Sequence, residues 1–142
     1  MKSKESLEVF KKYYLKEFTF FDGENDVIFN IVGVNFENKT IEKDKHFLEK
    51  IFTQNELKYC FSKSHPAQHL CARFCAKEAV IKALCSIGEN KLFPSDIEVL
   101  NDENNVPKVD LKKFANLNVK ISLSHCKNYS TATAIVYKAM SA

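Results

Sequence analysis

Along the chain, apolar positions shift between helical spacing and strict alternation. From Ser3 to Phe18, the residues Leu7, Phe10, Tyr14 and Phe18 fall near one helical stripe, with Glu5, Lys11, Lys12 and Lys16 elsewhere. This predicts a short amphipathic helix that packs on a surface; its positive face is thin for a membrane helix. Asp22-Gly23-Glu24-Asn25 reads as a turn, and Val27 to Val34 as a β-rich apolar strand ending at Asn35. Lys43 to Phe52 returns to helical spacing. Thr53 and Glu56 then have capping-box spacing and predict a second helix through Tyr59 or Phe61. Ser64 is placed to cap a third helix, with Pro66 in its first turn, where a missing N–H costs nothing. That helix runs to about Ile87, and Gly88 suits the left-handed position after it.

The second half alternates. Ser95–Leu100, Val106–Leu111, Asn118–Ser124 and Thr131–Tyr137 read as strands, with Asn101–Asn105 as a turn. Helices followed by a β meander predict an α+β domain, with a long central helix packed on a largely antiparallel sheet.

The length of 142 residues fits one domain, at about 100–200 residues each. An apolar fraction of 45% against 27% charged places the chain among globular proteins. The net charge of +3 excludes a strongly basic nucleic-acid tail and leaves room for a local basic patch facing an acidic partner. No uncharged stretch is longer than Asn128–Tyr137, which is too short to span a bilayer. Cys60, Cys71, Cys75, Cys85 and Cys126 form an odd set without a CxxC, read as reduced thiols of a cytoplasmic protein.

The central helix carries the strongest candidate chemistry. At 100° per residue, Cys71, Cys75, Glu78 and Lys82 share a stripe beside the apolar one of Leu70, Phe74 and Ile81. Glu78 and Lys82 fit an ordinary i,i+4 pair. They equally fit a carboxylate for a hard metal and an ammonium for a phosphate, one turn apart. Cys71, Cys75 and His69 have a superficial metal-ligand spacing but lack a fourth ligand, so small residues packing closely is the better account. Asn35 and Glu37 share one side of the strand end and could offer oxygens toward Glu78. Ser124 and His125 are strand neighbours pointing to opposite faces, which argues against a triad. P-loop, GxGxxG and GxSxG patterns do not occur.

In order, Gly33-Val34-Asn35, the Glu49–Leu57 segment with Thr53 and Glu56, Ala72-Arg73-Phe74-Cys75-Ala76-Lys77-Glu78-Ala79 with Lys82, the turn Asp102–Pro107, and Ile121-Ser122-Leu123-Ser124-His125 resemble the motifs of the holo-acyl-carrier-protein synthases. These are the short 4′-phosphopantetheinyl transferases, and the likeness covers about Val27 to Tyr137. It implies a transferase domain at 27–142, which leaves the helical extension expected at 1–26 outside it. The implied reaction, part of fatty acid biosynthesis, moves 4′-phosphopantetheine from coenzyme A to a serine of an acidic apo acyl carrier protein and releases 3′,5′-ADP. The implied metal is Mg²⁺, or Mn²⁺ in its place, held by Asn35, Glu37 and Glu78. Glu78 would also help deprotonate the serine, and Lys82 would neutralise the pyrophosphate. Arg73, Lys77, Ser124 and His125 would lie near the nucleotide and its phosphates, and Asn104 and Pro107 near the adenine. The resemblance further implies a homotrimer with sites between subunits. Lys39, Lys43, Lys45 and Lys50 are candidates for the carrier-docking patch.

Three departures stand out. Asn35 replaces the family's metal-binding Asp, which weakens the site unless Glu37 compensates; the alternative is a weakly active or inactive homologue that binds coenzyme A or the carrier. Asn105 replaces a turn Gly, a position where Asn is tolerated in the left-handed region. The extension precedes what is normally the first strand.

Overall fold

A computed structural model describes residues 15–22, 26–34, 45–89, 91–111, 114 and 117–138. In chain order these form β1 (Leu15–Asp22), β2 (Asp26–Val34), α1 (Lys45–Ile51), α2 (Gln54–Phe61), α3 (Pro66–Ser86), a 3-10 turn (Pro94–Asp96), β3 (Ile97–Asn101), β4 (Pro107–Leu111), β5 (Leu117–His125) and β6 (Tyr129–Lys138). The α+β expectation holds: α3 lies on a four-stranded antiparallel sheet of order β1-β2-β6-β5, and β3-β4 form a separate hairpin.

Two expectations are corrected. Leu15–Phe18 is strand, not the end of a helix, and β1 is an edge strand of the same sheet as the transferase motifs. The segment Leu-Lys-Glu-Phe-Thr-Phe-Phe-Asp is dense in aromatic and β-branched residues, a preference that outweighs the chance helical spacing of Phe18 with Tyr14. Residues 1–14 and the turn at 23–25 lie outside the described residues. The late strands are also not one meander, because β3 and β4 pair with each other in a separate sheet while β5 and β6 join β2.

The helix boundaries follow local chemistry. Thr53 accepts a hydrogen bond from Glu56 N, and the Glu56 carboxylate accepts one from Thr53 N at 2.8 Å, the reciprocal box expected from the spacing. Thr53 Oγ1 also donates to Glu98 of β3. Thr53→Ala removes the cap and this tie; a loss of about 1–2 kcal/mol is expected, read as a melting temperature lower by about 2–6 °C. The N-cap of α3 is His65, not Ser64, and its side chain makes no capping bond. Pro66 at the first helical position pushes the residue before it out of helical geometry, which moves the start by one residue. Gly88 closes the helix at φ +94°, the left-handed conformation expected there.

Both sides of α3 are buried. One side sets Cys71, Cys75, Ala76, Ala79 and Ala83 against Ala132, Ala134 and Val136 of β6 and Ile97 and Val99 of β3. The other sets Leu70 and Phe74 against Leu48, Ile51, Phe52 and Cys60. Small residues at the first contact let helix and sheet approach closely, in keeping with the packing account of the two cysteines. All five thiols are free, and burial pushes the Cys60 thiol up to about 12, which keeps it protonated and inert. No helix of the described residues is long and apolar enough to cross a membrane.

Candidate active site

One row across the sheet carries two of the sequence motifs. Gly33 of β2 is paired with Ser130 of β6, and Ser130 with His125 of β5. The helix rests on this row: the Cys75 thiol donates to Ser130 O at 3.8 Å, and Ser130 Oγ donates to Gln68 O at 3.4 Å. His125 Nδ1 lies 3.0 Å from Gln68 Oε1. The end of β2 therefore lies in the row on which the helix turn preceding Glu78 rests. Asn35 and Glu37 themselves lie outside the described residues, as do Lys39 and Lys43.

Glu78 is 1% exposed, and Lys82, one turn on, is half-buried. Ser124, His125 and Asn104 are exposed, and Pro107 is half-buried. Arg73 is buried. Its Nε donates to Val99 O at 3.1 Å and one Nη to Asn101 Oδ1 at 3.4 Å, so α3 is tied to the strand that leads into the Asp102–Pro107 turn. That turn is held by Asp102, whose carboxylate accepts from Asn104 N at 2.9 Å and Val106 N at 3.0 Å. These bonds hold its carboxyl below the usual range. Asn105 adopts φ 63°, the left-handed geometry its place in the motif requires.

Lys77 does not stand where the resemblance put it. Its ammonium is fully buried, 2.7 Å from Glu56 Oε1, and donates to Pro94 O at 2.9 Å and to Ile97 O. Its three donors are consumed inside the protein, so it supports the helix from behind instead of meeting a phosphate. Glu56, read only as a capping residue, is the other half of this pair; its Oε2 accepts from Val99 N at 2.7 Å. The signal for it in the sequence is slight, since a capping glutamate ordinarily sits at the surface.

The residues in hand suit a hard divalent cation. Mg²⁺ is commonly held by one or two carboxylates together with substrate phosphates, and a buried glutamate with a lysine one helical turn on is compatible with that chemistry. The described residues contain no cluster of three or more His, Cys, Asp or Glu that could hold a metal ion by themselves.

Comparison with known proteins agrees with the layout. Residues 31–134 match the 4'-phosphopantetheinyl transferase superfamily. A holo-[acyl-carrier-protein] synthase of Thermodesulfovibrio yellowstonii is 43% identical over 108 residues, 75% of this chain and 93% of that one. The protein of the same name from Protochlamydia amoebophila is 43% identical over 96 residues, 64% of this chain and 79% of that one. The crystal structure of a holo-(acyl-carrier-protein) synthase from Bacillus anthracis in complex with CoA (3',5'-ADP) aligns with a TM-score of 0.60 at 25% identity, covering 89% of this chain and 99% of that one. With residues 31–134 matched to the family and a relative 43% identical across 93% of its length, the chain belongs to the holo-[acyl-carrier-protein] synthase family of the 4'-phosphopantetheinyl transferase superfamily.

Proposed function

We propose that the chain transfers 4′-phosphopantetheine from coenzyme A to a serine of an apo acyl carrier protein, releasing 3′,5′-ADP. The observation that carries this is the Gly33–Ser130–His125 row under α3, which gathers three separated motifs at one end of the sheet. The carrier serine oxygen forms a bond to the phosphorus that bears pantetheine. The pyrophosphate P–O bond breaks, 3′,5′-ADP leaves with the bond's electrons, and the serine gives up its proton. Glu78 accepts that proton or holds the water that does. Lys82, a point charge on a flexible stem, meets the charge that grows on the leaving phosphate. Arg73, Ser124 and His125 border the nucleotide phosphates, and Asn104 and Pro107 the adenine. Mg²⁺, or Mn²⁺, held by Glu78 with Asn35 and Glu37, would neutralise the pyrophosphate as it divides.

The acidic carrier would dock on α1. There Lys45 and Lys50 are exposed, and a cavity of about 230 Å³ lined by Lys45, Leu48, Glu49, Leu57 and Phe61 offers an apolar seat. A homotrimer would cover the exposed end of the β5 edge and complete the nucleotide site. Free thiols on all five cysteines suit a cytoplasmic enzyme.

The test is release of 3′,5′-ADP from coenzyme A, followed by chromatography. The reading requires release that depends on both apo carrier and a divalent cation; release without carrier, or none with any carrier, contradicts it. Asn35→Asp adds a charge where the family has one. At about 4 Å and an effective dielectric near 20, a unit pair is worth about 4 kcal/mol before screening. The Mg²⁺ concentration for half-maximal rate in Asn35→Asp is therefore expected to fall about tenfold or more, measured by metal titration of the initial rate.

A further inference from the structure

Asn101 closes β3 and opens the Asp102–Pro107 turn, and its side chain meets three elements at once. Its Nδ2 donates to the Tyr59 hydroxyl of α2 at 2.9 Å and to Asn105 Oδ1 of the turn at 2.8 Å. Its Oδ1 accepts from an Arg73 Nη of α3 at 3.4 Å. The direction of these bonds is forced. A guanidinium only donates, so the amide turns its oxygen to Arg73 and its two N–H bonds to Tyr59 and Asn105. Arg73 is itself fixed: it is 2% exposed, its Nε donates to Val99 O at 3.1 Å, and its guanidinium stands over the Tyr59 ring at 4.3 Å. Asn101 thus relays the position of two packed helices to an exposed turn.

The far end of this relay is Asn105. It sits at φ 63°, where glycine has the least steric cost. Glycine would satisfy the backbone there and lose the side-chain bond to Asn101. The other bonds of the turn are local. Asp102 Oδ1 accepts from Asn104 N at 2.9 Å and from Val106 N at 3.0 Å. Asp102 O accepts from Asn105 N, and Val106 O from Asp102 N, both at 2.9 Å. These bonds set the shape of the turn, whereas the Asn101–Asn105 bond sets its place against α2 and α3. They also consume the N–H groups of Asn104, Asn105 and Val106, and Pro107 has none. The backbone rim of the turn therefore offers acceptors outward.

We infer that Asn101 and Asn105 are positioning residues, whose side-chain bond latches this rim to the two helices and so lets the chain tell adenine from a base without its exocyclic amine. The inference rests on the transferase reading, which puts the adenine at Asn104 and Pro107. Rim oxygens accept from the amine of adenine and repel the carbonyl that hypoxanthine carries in its place. A hydrogen bond of this kind discriminates only while its acceptor is held in place. With the latch open, the rim moves with its hairpin and the preference falls. The phosphate contacts come from α3 and β5, so they are common to both bases.

The experiment is isothermal titration with 3′,5′-ADP and with inosine 3′,5′-bisphosphate, which differ in the base alone. Wild type, Asn105→Gly and Asn101→Ala are compared, with melting temperatures measured for each. Wild type is expected to prefer the adenine ligand about tenfold, the scale of one hydrogen bond made or left unmade. Both variants are expected to reduce that preference to about twofold, and the ratio cancels any change at Arg73 that the two ligands share. In the transfer reaction Asn105→Gly is expected to raise KM for coenzyme A about fivefold with kcat within about twofold of wild type. Asn105→Gly suits the left-handed position, so it carries the test alone where Asn101→Ala fails to fold. A full adenine preference in folded Asn105→Gly overturns the inference and leaves the transferase reading standing. An equal loss of affinity for both ligands, in step with a lower melting temperature, overturns it too and makes the latch a matter of stability. A wild type that binds both ligands equally overturns the inference and the place of the adenine at the turn, while carrier modification still tests the transfer itself. Absence of binding to both ligands overturns the inference together with the transferase reading.

Discussion

Glu78→Gln leaves the protein folded and lowers phosphopantetheine transfer by about a thousandfold, the scale set by removing a general base or a carboxylate from a metal-assisted centre. The substitution keeps the shape of a side chain that is 1% exposed and removes its charge. Its melting temperature therefore stays close to wild type, since an isosteric neutral group in a buried site avoids the cost of desolvating a carboxylate. The loss should lie in kcat and in the dependence on Mg²⁺, with coenzyme A affinity in the absence of metal little changed. A steady-state comparison across Mg²⁺ concentrations checks this. Retention of more than a tenth of the wild-type rate would remove Glu78 from the centre of the mechanism.

Its neighbour has the opposite signature. Lys77→Met leaves the Glu56 carboxylate fully buried without its ammonium at 2.7 Å, and leaves Pro94 O without its donor. Breaking a buried pair by removing one partner costs about 3–5 kcal/mol. For a chain of this size that lowers the melting temperature by about 10 °C. Glu56→Gln with Lys77→Met removes both charges and is expected to recover part of the loss, because no uncompensated charge remains. Recovery stops short of complete, because the two carboxylate oxygens accept separately from Thr53 N at 2.8 Å and Val99 N at 2.7 Å, whereas glutamine has one acceptor oxygen and serves only one of them. Calorimetric melting of the two single variants and the double one measures the coupling. Well below its melting temperature, Lys77→Met is expected to keep an ordinary KM for coenzyme A. A phosphate ligand would behave the other way, with KM raised and stability unaffected. The contrast between adjacent residues separates a side chain that does chemistry from one that holds the helix carrying it.

Local spacing made some of this legible in the sequence and left the rest hidden. The Thr53–Glu56 box, Pro66 at a helix start and Gly88 at its end are signals contained within a few residues, and the structure realises them. The strands from Ile97 onward follow the alternation, with boundaries moved by one or two positions. Leu15–Phe18 was read at helical spacing, and pairing with β2 makes it strand instead. Which strands become neighbours is not a local property, so the place of β6 between β2 and β5 had no trace in the pattern. At the site, Glu78 and Lys82 were legible as an i,i+4 pair, and the family resemblance gave that pair its meaning. Lys77 was misread because a lysine beside the glutamate of that motif looks like a phosphate ligand until its partner is known. That partner, Glu56, is distant in sequence and doubles as a cap.

The central claim is covalent, so mass decides it most directly. Purified chain, coenzyme A and Mg²⁺ are incubated with an apo acyl carrier protein, and the intact mass of the carrier is measured. The account predicts a gain of one phosphopantetheine group on the carrier, absent with Glu78→Gln and absent when the carrier's serine is replaced by alanine. An unchanged carrier mass with several apo carriers, from a folded protein supplied with Mg²⁺ or Mn²⁺, would contradict it.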